Sequence, residues 1–289
     1  MGFSKGNVST EGAELKRYVG VASVFVRGIN PTKEELSKFF NREIENSVDY
    51  VGQLDTENGK VDTIRIDFLV EADKEKYPDV DLKSRVTIFL RKEARISKAG
   101  KKQVIDKYGR TAWATPEEIE QKVIPVYSNG KPANIDKDYR VAYSGEEDLV
   151  KFLIAYLNIP SPQKYVNGEW VMQEANKLPD CEAMLECIDS YFKGDIGELK
   201  QIIGFQPTNK VKVLFGVRTA DDGRQFQTTY TRMFLKNGVS DYSKLDKEVK
   251  EAQNAGALST CTFECTELHE YKIDSTDFAE DVKAATPWD

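Results

Sequence analysis

The sequence predicts an α+β fold, an OB-like antiparallel β-barrel with inserted helices. Two blocks, beginning at Arg17 and at Lys210, alternate apolar and polar residues with the period of two that a half-buried strand requires. Between them, at about 115–205, capping boxes and helical spacing replace the alternation. The chain has 289 residues, enough to bury a sizeable core. We expect one domain over 17–273, a flexible leader at 1–16 and an acidic C-terminal tail at 274–289.

In order, Arg17 to Ile29 is a β-rich run whose two glycines permit a bulge. Thr32-Lys-Glu-Glu35 is a capping box that opens a helix with Leu36, Phe39, Phe40 and Ile44 turned inward. Gln53 to Val61 reads as a loop. Ile64, Ile66, Phe68 and Val70 then alternate with Arg65 and Asp67 as a strand, and Glu71 to Asp81 is an acidic loop. Thr115-Pro-Glu-Glu118 and Ser144-Gly-Glu-Glu147 are further capping boxes. The latter leads a helix carrying Leu149, Phe152, Leu153, Tyr156 and Leu157, and Ser128 to Pro132 is a turn. Helices are expected at Asp180–Phe192 and Ile196–Ile203. After Lys210 the alternation resumes through Val217, Asp221-Asp-Gly223 makes a hairpin, Ser243–Ala252 is a helix and Leu258–Ile273 a last strand.

Charge singles out Lys83 to Trp113. This stretch holds ten Lys or Arg against Glu93 and Asp106, inside a chain of net charge -7. Val86, Ile88 and Leu90 form an apolar face, opposite one that mixes Arg85, Phe89 and Arg91. Ala99-Gly100 turns into a second extended run. A basic ribbon with interleaved rings suits a polyanion whose bases can stack, namely single-stranded nucleic acid. Phosphate contacts are expected along Arg85, Arg91, Lys92, Arg95, Lys98, Lys101, Lys102, Lys107 and Arg110, with bases on Phe89, Tyr108 and Trp113. The return strand after Gly223 offers either a second platform, with Arg224, Tyr230 and Arg232 beside Arg218, or core rings at Phe226, Tyr230 and Phe234. The acidic tail contains Asp277, Phe278, Glu280, Asp281, Pro287, Trp288 and Asp289, a composition that can place a ring in a partner's pocket while its carboxylates meet basic groups.

Other chemistries find less support. The single histidine, His269, removes His-based triads and multi-histidine metal sites. Neither a G-x-x-x-x-G-K-[ST] loop nor a G-x-G-x-x-G turn occurs. Cys181, Cys187, Cys261 and Cys265 lack the close spacing of structural zinc sites, so buried reduced thiols are expected, with no metal and no cofactor. Asp67, Asp81 and Lys83 faintly resemble a carboxylate–metal nuclease pattern, and a virion or assembly protein is a third class. With no signal peptide and no apolar run long enough for a bilayer, the expected place is the cytoplasm.

With its basic aromatic hairpin around Arg91 to Trp113 and its Pro287-Trp288 tip, the chain resembles the single-stranded DNA-binding proteins of tailed phages, including crAss-like gut phages. The resemblance implies an OB fold with inserted helices, non-catalytic binding of single-stranded DNA in replication or recombination, and an acidic tail that recruits partner proteins.

Overall fold

The computed structural model describes residues 16–57, 59–160, 163–167, 169–172, 181–193, 201, 206 and 208–272. The first block holds β1 (Arg17–Ile29), α1 (Lys33–Phe40), β2 (Val51–Thr56), β3 (Gly59–Ala72) and β4 (Lys83–Ala94). Next come β5 (Lys102–Ile105), β6 (Thr111–Ala114), α2 (Pro116–Gln121), β7 (Arg140–Val141), β8 (Tyr143–Ser144) and α3 (Glu146–Tyr156). The hairpin β9 (Gln163–Val166)–β10 (Glu169–Met172) and α4 (Cys181–Phe192) precede the second block. That block is β11 (Lys210–Thr219), β12 (Gln225–Thr229), β13 (Leu235–Lys236), α5 (Ser243–Asn254), β14 (Cys261–Phe263) and β15 (His269–Tyr271).

The main sheet runs β12-β11-β1-β3-β4-β8, with antiparallel neighbours throughout. It curls into a half-barrel, so β12 and β4 approach across the open side without pairing. The period of two decides which face is sealed. Ile64, Ile66, Phe68, Val86, Ile88 and Leu90 join Val211, Val213 and Phe215 against α3 and α4, where Phe152 stacks 4.1 Å from Phe68. Each such side chain removed from water contributes about 1.5–3 kcal/mol. A second core lies on the reverse of β1 and β11, where Val21 and Leu214 meet Tyr230, Leu245, Val249 and Phe263. Beneath the three-stranded sheet β6-β5-β7, Val104, Ala112 and Ala114 pack with Tyr139.

Several expectations change. Gln53 to Val61 is a hairpin, not a loop, with Thr56 paired to Gly59. Its residues are largely exposed on both faces, so no apolar alternation marks them. Within 115–205 the helices α2, α3 and α4 are present, but β7 and β8 pair back onto β5 and β4. Two-residue strands are too short to show a period. The box at Ser144 is absent: Gly145 is the cap of α3, and the buried Glu146 instead binds Arg140 and the Tyr143 amide. The strand expected over Leu258–Ile273 is broken into β14 and β15. Phe39, Phe40 and Ile44 are only partly buried, leaving Leu36 as the inward residue of α1. The helix expected at Ile196–Ile203 lies, residue 201 excepted, outside the described residues. Among the described residues no helix is long and apolar enough to cross a membrane.

Gly145 sits at φ 89, and a Cβ there would stand 1.9 Å from the Phe89 carbonyl oxygen. Gly130 also has a positive φ, 76, but open space around it. Gly130→Ala should therefore cost only the left-handed penalty of about 1–2 kcal/mol. Gly145→Ala should lower the thermal midpoint clearly further, because β4 and α3 must separate. Equal losses in the two melts would contradict this packing.

Candidate nucleic-acid interface

The outward face of β4 presents Lys83, Arg85, Thr87, Phe89 and Arg91, and β3 places Arg65 and Asp67 opposite Phe89 and Thr87. Asp67 organises this face. Its carboxylate is 0% exposed, yet it accepts both prongs of the Arg65 guanidinium at 2.8 Å and the Thr87 hydroxyl at 2.7 Å. Arg85 adds a longer contact at 3.5 Å. A buried carboxylate survives only with such charge-assisted partners. Two guanidinium groups are thereby held on a strand face, both partly exposed. Arg65 lies 5.9 Å from the ring centre of Phe89, which is 52% exposed, an unusual state for a large apolar ring. Nearby, burial and the Asp67 charge push the Tyr50 hydroxyl up to about 12.

Where the half-barrel stays open, a groove of about 590 Å³ separates β4 from β12. Its lining carries Lys16, Arg17, Arg42, Lys83 and Arg85 against a single acid, Asp81, which pairs with Lys74 at 3.0 Å. Lys16 is partly neutralised by Glu270 at 3.1 Å. Phe226, 40% exposed, lies between the Arg218 and Arg224 guanidiniums, 5.7 and 5.8 Å from its centre. Helix α1 ends on Asn41 in the left-handed conformation, and Arg42 emerges over Phe40 at 5.6 Å. An adjoining hollow of about 440 Å³ shares Phe40, Arg42 and Arg85 and adds Arg65. Sequence reasoning missed Arg17, Phe40, Arg42 and Arg65 as candidate interface residues. Arg65 gains its meaning only from the β3–β4 register. The Phe-Asn-Arg ending of α1 did hold a local signal, since Asn favours left-handed helix ends.

The hairpin beyond β4 is partly a structural knot. The turn at Ser97–Lys101 forms as expected. Tyr108, however, is 3% exposed, and its ring is flanked by Lys107 and Arg110 at 5.3 and 5.0 Å. The buried Asp106 accepts the amides of Tyr108, Arg110 and Asp136 and binds the Arg110 side chain. Tyr108 as a stacking ring and Arg110 as a phosphate contact are therefore corrected: one acid placed in the turn captures the cation and closes the ring beneath it. Tyr230 is corrected likewise. Beyond β12 the chain turns, so Tyr230 enters the second core at 2% exposure and its hydroxyl donates to Glu248 at 3.2 Å.

The other cations remain near solvent. Arg91, Lys92, Arg95 and Lys107 meet Glu93, Asp62, Glu147 and Asp136 at 3.6–3.9 Å, long contacts of the kind that hold little energy at a wet surface. Lys98 is exposed, Lys101 and Lys102 are half-buried, and Arg95 sits 5.8 Å from the half-buried Trp113 ring. Arg218, Arg224 and Arg232 are exposed. The tail residues Asp277, Phe278, Glu280, Asp281, Pro287, Trp288 and Asp289 lie outside the described residues.

The residues of the nuclease alternative do not converge. Asp67 has its oxygens occupied, Lys83 donates to the Phe39 carbonyl at 3.0 Å, and Asp81 holds Lys74. Lys83 also stands four residues along β4 from Thr87, the register partner of Asp67, roughly 13 Å. Among the described residues no three His, Cys, Asp or Glu gather as metal ligands. Cys187 is buried, while Cys261 and Cys265 are only partly so, and burial pushes the Cys265 thiol up to about 11. Comparison with family models, with curated proteins and with solved structures gives no match.

Asp148, in the first turn of α3, has its carboxyl pushed up to about 6, chiefly by burial and further by Glu147, against the pull of Lys151, Arg95 and Arg232. A folded-state value above the ordinary 3.8 means that its contribution to stability is complete below that pH and is lost as pH rises through about 6. Asp148→Asn should accordingly melt with the parent at pH 4 and above it at pH 8. The reverse order would refute the burial argument.

Proposed function

We propose that the chain binds single-stranded DNA without altering it, on the surface formed by the outer face of β4 and the β4–β12 groove. The observation that carries this reading is the groove: five cations against one paired acid, with Phe40 and Phe226 in its walls and Phe89 exposed on the strip beside it. Phosphates are drawn to the guanidinium and ammonium groups, and bases of any sequence can lie on flat rings. A duplex keeps its bases stacked inside and makes no use of those rings. The half-barrel is read as an open OB-like barrel in which β4 and β12 form the two lips of the binding cleft. On this reading Lys98, Lys101 and Lys102 extend the track along the hairpin. Residues 274–289 would recruit replication or recombination proteins, as the likeness to phage single-strand binders implies.

The interface defines its own test. Affinity for oligo-dT should exceed that for duplex and fall with salt at a log–log slope of roughly -0.7 per phosphate contact, about -3 to -4 for five contacts. Phe89→Ala and Phe226→Ala should each cost about 1–3 kcal/mol of binding. Arg85→Ala should make the slope shallower by about 0.7. Tyr108→Phe, a buried change, should leave binding as it was. Fluorescence anisotropy with a labelled oligonucleotide reads all four, and parental affinity in both Phe variants would overturn the proposal.

A further inference from the structure

We infer that the apolar cleft beneath α1 is a base-binding subsite, which takes a nucleobase turned out of the strand lying in the neighbouring groove. This inference rests on the single-strand-binding reading and adds a discrete pocket to it. The cleft measures about 630 Å³, with Ile29, Pro31 and Leu69 as its floor and Phe39 as a wall. Ile29 and Leu69 are 5% and 3% exposed, so the floor belongs to the packed sheet and holds its shape without a guest. Such a preformed apolar hollow with a few charged groups at its rim is the usual build of a small-ligand site.

Continuity with the groove identifies the guest. Lys83 lines both hollows, and its ammonium is held between them by the Phe39 carbonyl at 3.0 Å and the Phe39 ring at 5.3 Å. A phosphate resting on Lys83 from the groove side places the attached nucleoside at the mouth of the cleft. Lys38 adds a second cation on the rim, whereas Arg27 is already engaged by Glu71 at 2.9 Å, and the other acid of the lining, Glu35, accepts the Thr32 amide in the capping box of α1. The guest thus needs a flat apolar body joined to an anion, which is what one nucleotide of an unpaired strand offers. A base paired in a duplex has no face free to enter.

Two opposite changes test the cleft without replacing its cations; Phe39→Ala removes the ring beside Lys83 but keeps the main-chain carbonyl that holds it. Gly28→Val fills it, since a Cβ at Gly28 would lie 3.4 Å from the Leu69 side chain, an ordinary contact. Phe39→Ala removes the wall and lies on the partly exposed side of α1, so it keeps the fold even where the filled variant melts early. Against oligo-dT, each folded variant should bind about five- to 150-fold more weakly, the range expected for one lost base contact, with an unchanged salt slope. Against an oligonucleotide of the same length with abasic residues, the difference between parent and variants should vanish. Parental affinity for oligo-dT in both variants overturns the subsite. So does a loss accompanied by a shallower salt slope, which would report damaged phosphate contacts. If the parent binds no oligonucleotide at all, the single-strand reading falls, and the subsite with it.

Discussion

A fully buried carboxylate holds the outer face of the central sheet in order. Asp67 is surrounded by Arg65 on its own strand and by Arg85 and Thr87 on the neighbouring one, and its charge lets two guanidinium groups lie against a sheet whose other face is hydrocarbon. Replacing either partner alone leaves the other charge buried or loose, an asymmetry that makes such clusters costly to break. The same arrangement restricts how Arg65 and Arg85 can move. Restricted cations lose less freedom when they meet an anion, which is the advantage the proposed binding would draw on.

The chain as a whole is acidic, at net -7, so its basic surface is a local field rather than a global one. The incomplete barrel concentrates that field. Because β12 and β4 do not pair, their side chains face each other across a groove instead of being filled in by a ladder of hydrogen bonds. A groove lined with cations raises the local concentration of anions more than a flat surface would, and salt screens the effect over about 8–10 Å. Elsewhere the architecture neutralises its cations, as the Asp106–Arg110 knot shows, and those parts serve stability.

What the sequence made legible follows from period and register. The sealed face of β3 and β4 could be read residue by residue, because a strand packed on one side must alternate. The α+β class, the turns at Gly100 and Gly223 and the helix at α5 were legible for similar local reasons. Charge proved a poorer guide. Lys83 to Trp113 looked strongly basic, but Asp106 engages the half-buried Arg110 and closes the turn over the Tyr108 ring through contacts that no count of charges contains. Tyr230 was ambiguous for the same reason, since strand parity cannot say where a strand stops. Arg17 and Arg42 were invisible as groove residues because their placement arises from the curl, which brings the start of β1 and the end of α1 together.

Ultraviolet cross-linking of the full chain to a single-stranded oligo-dT, followed by mapping of the linked peptides, tests the central claim most directly. The account predicts adducts at Phe89 and at groove residues such as Phe40 and Phe226, suppressed together by unlabelled oligonucleotide. Adducts confined to other surfaces, such as the exposed side of α5 or the β2–β3 hairpin, would contradict it.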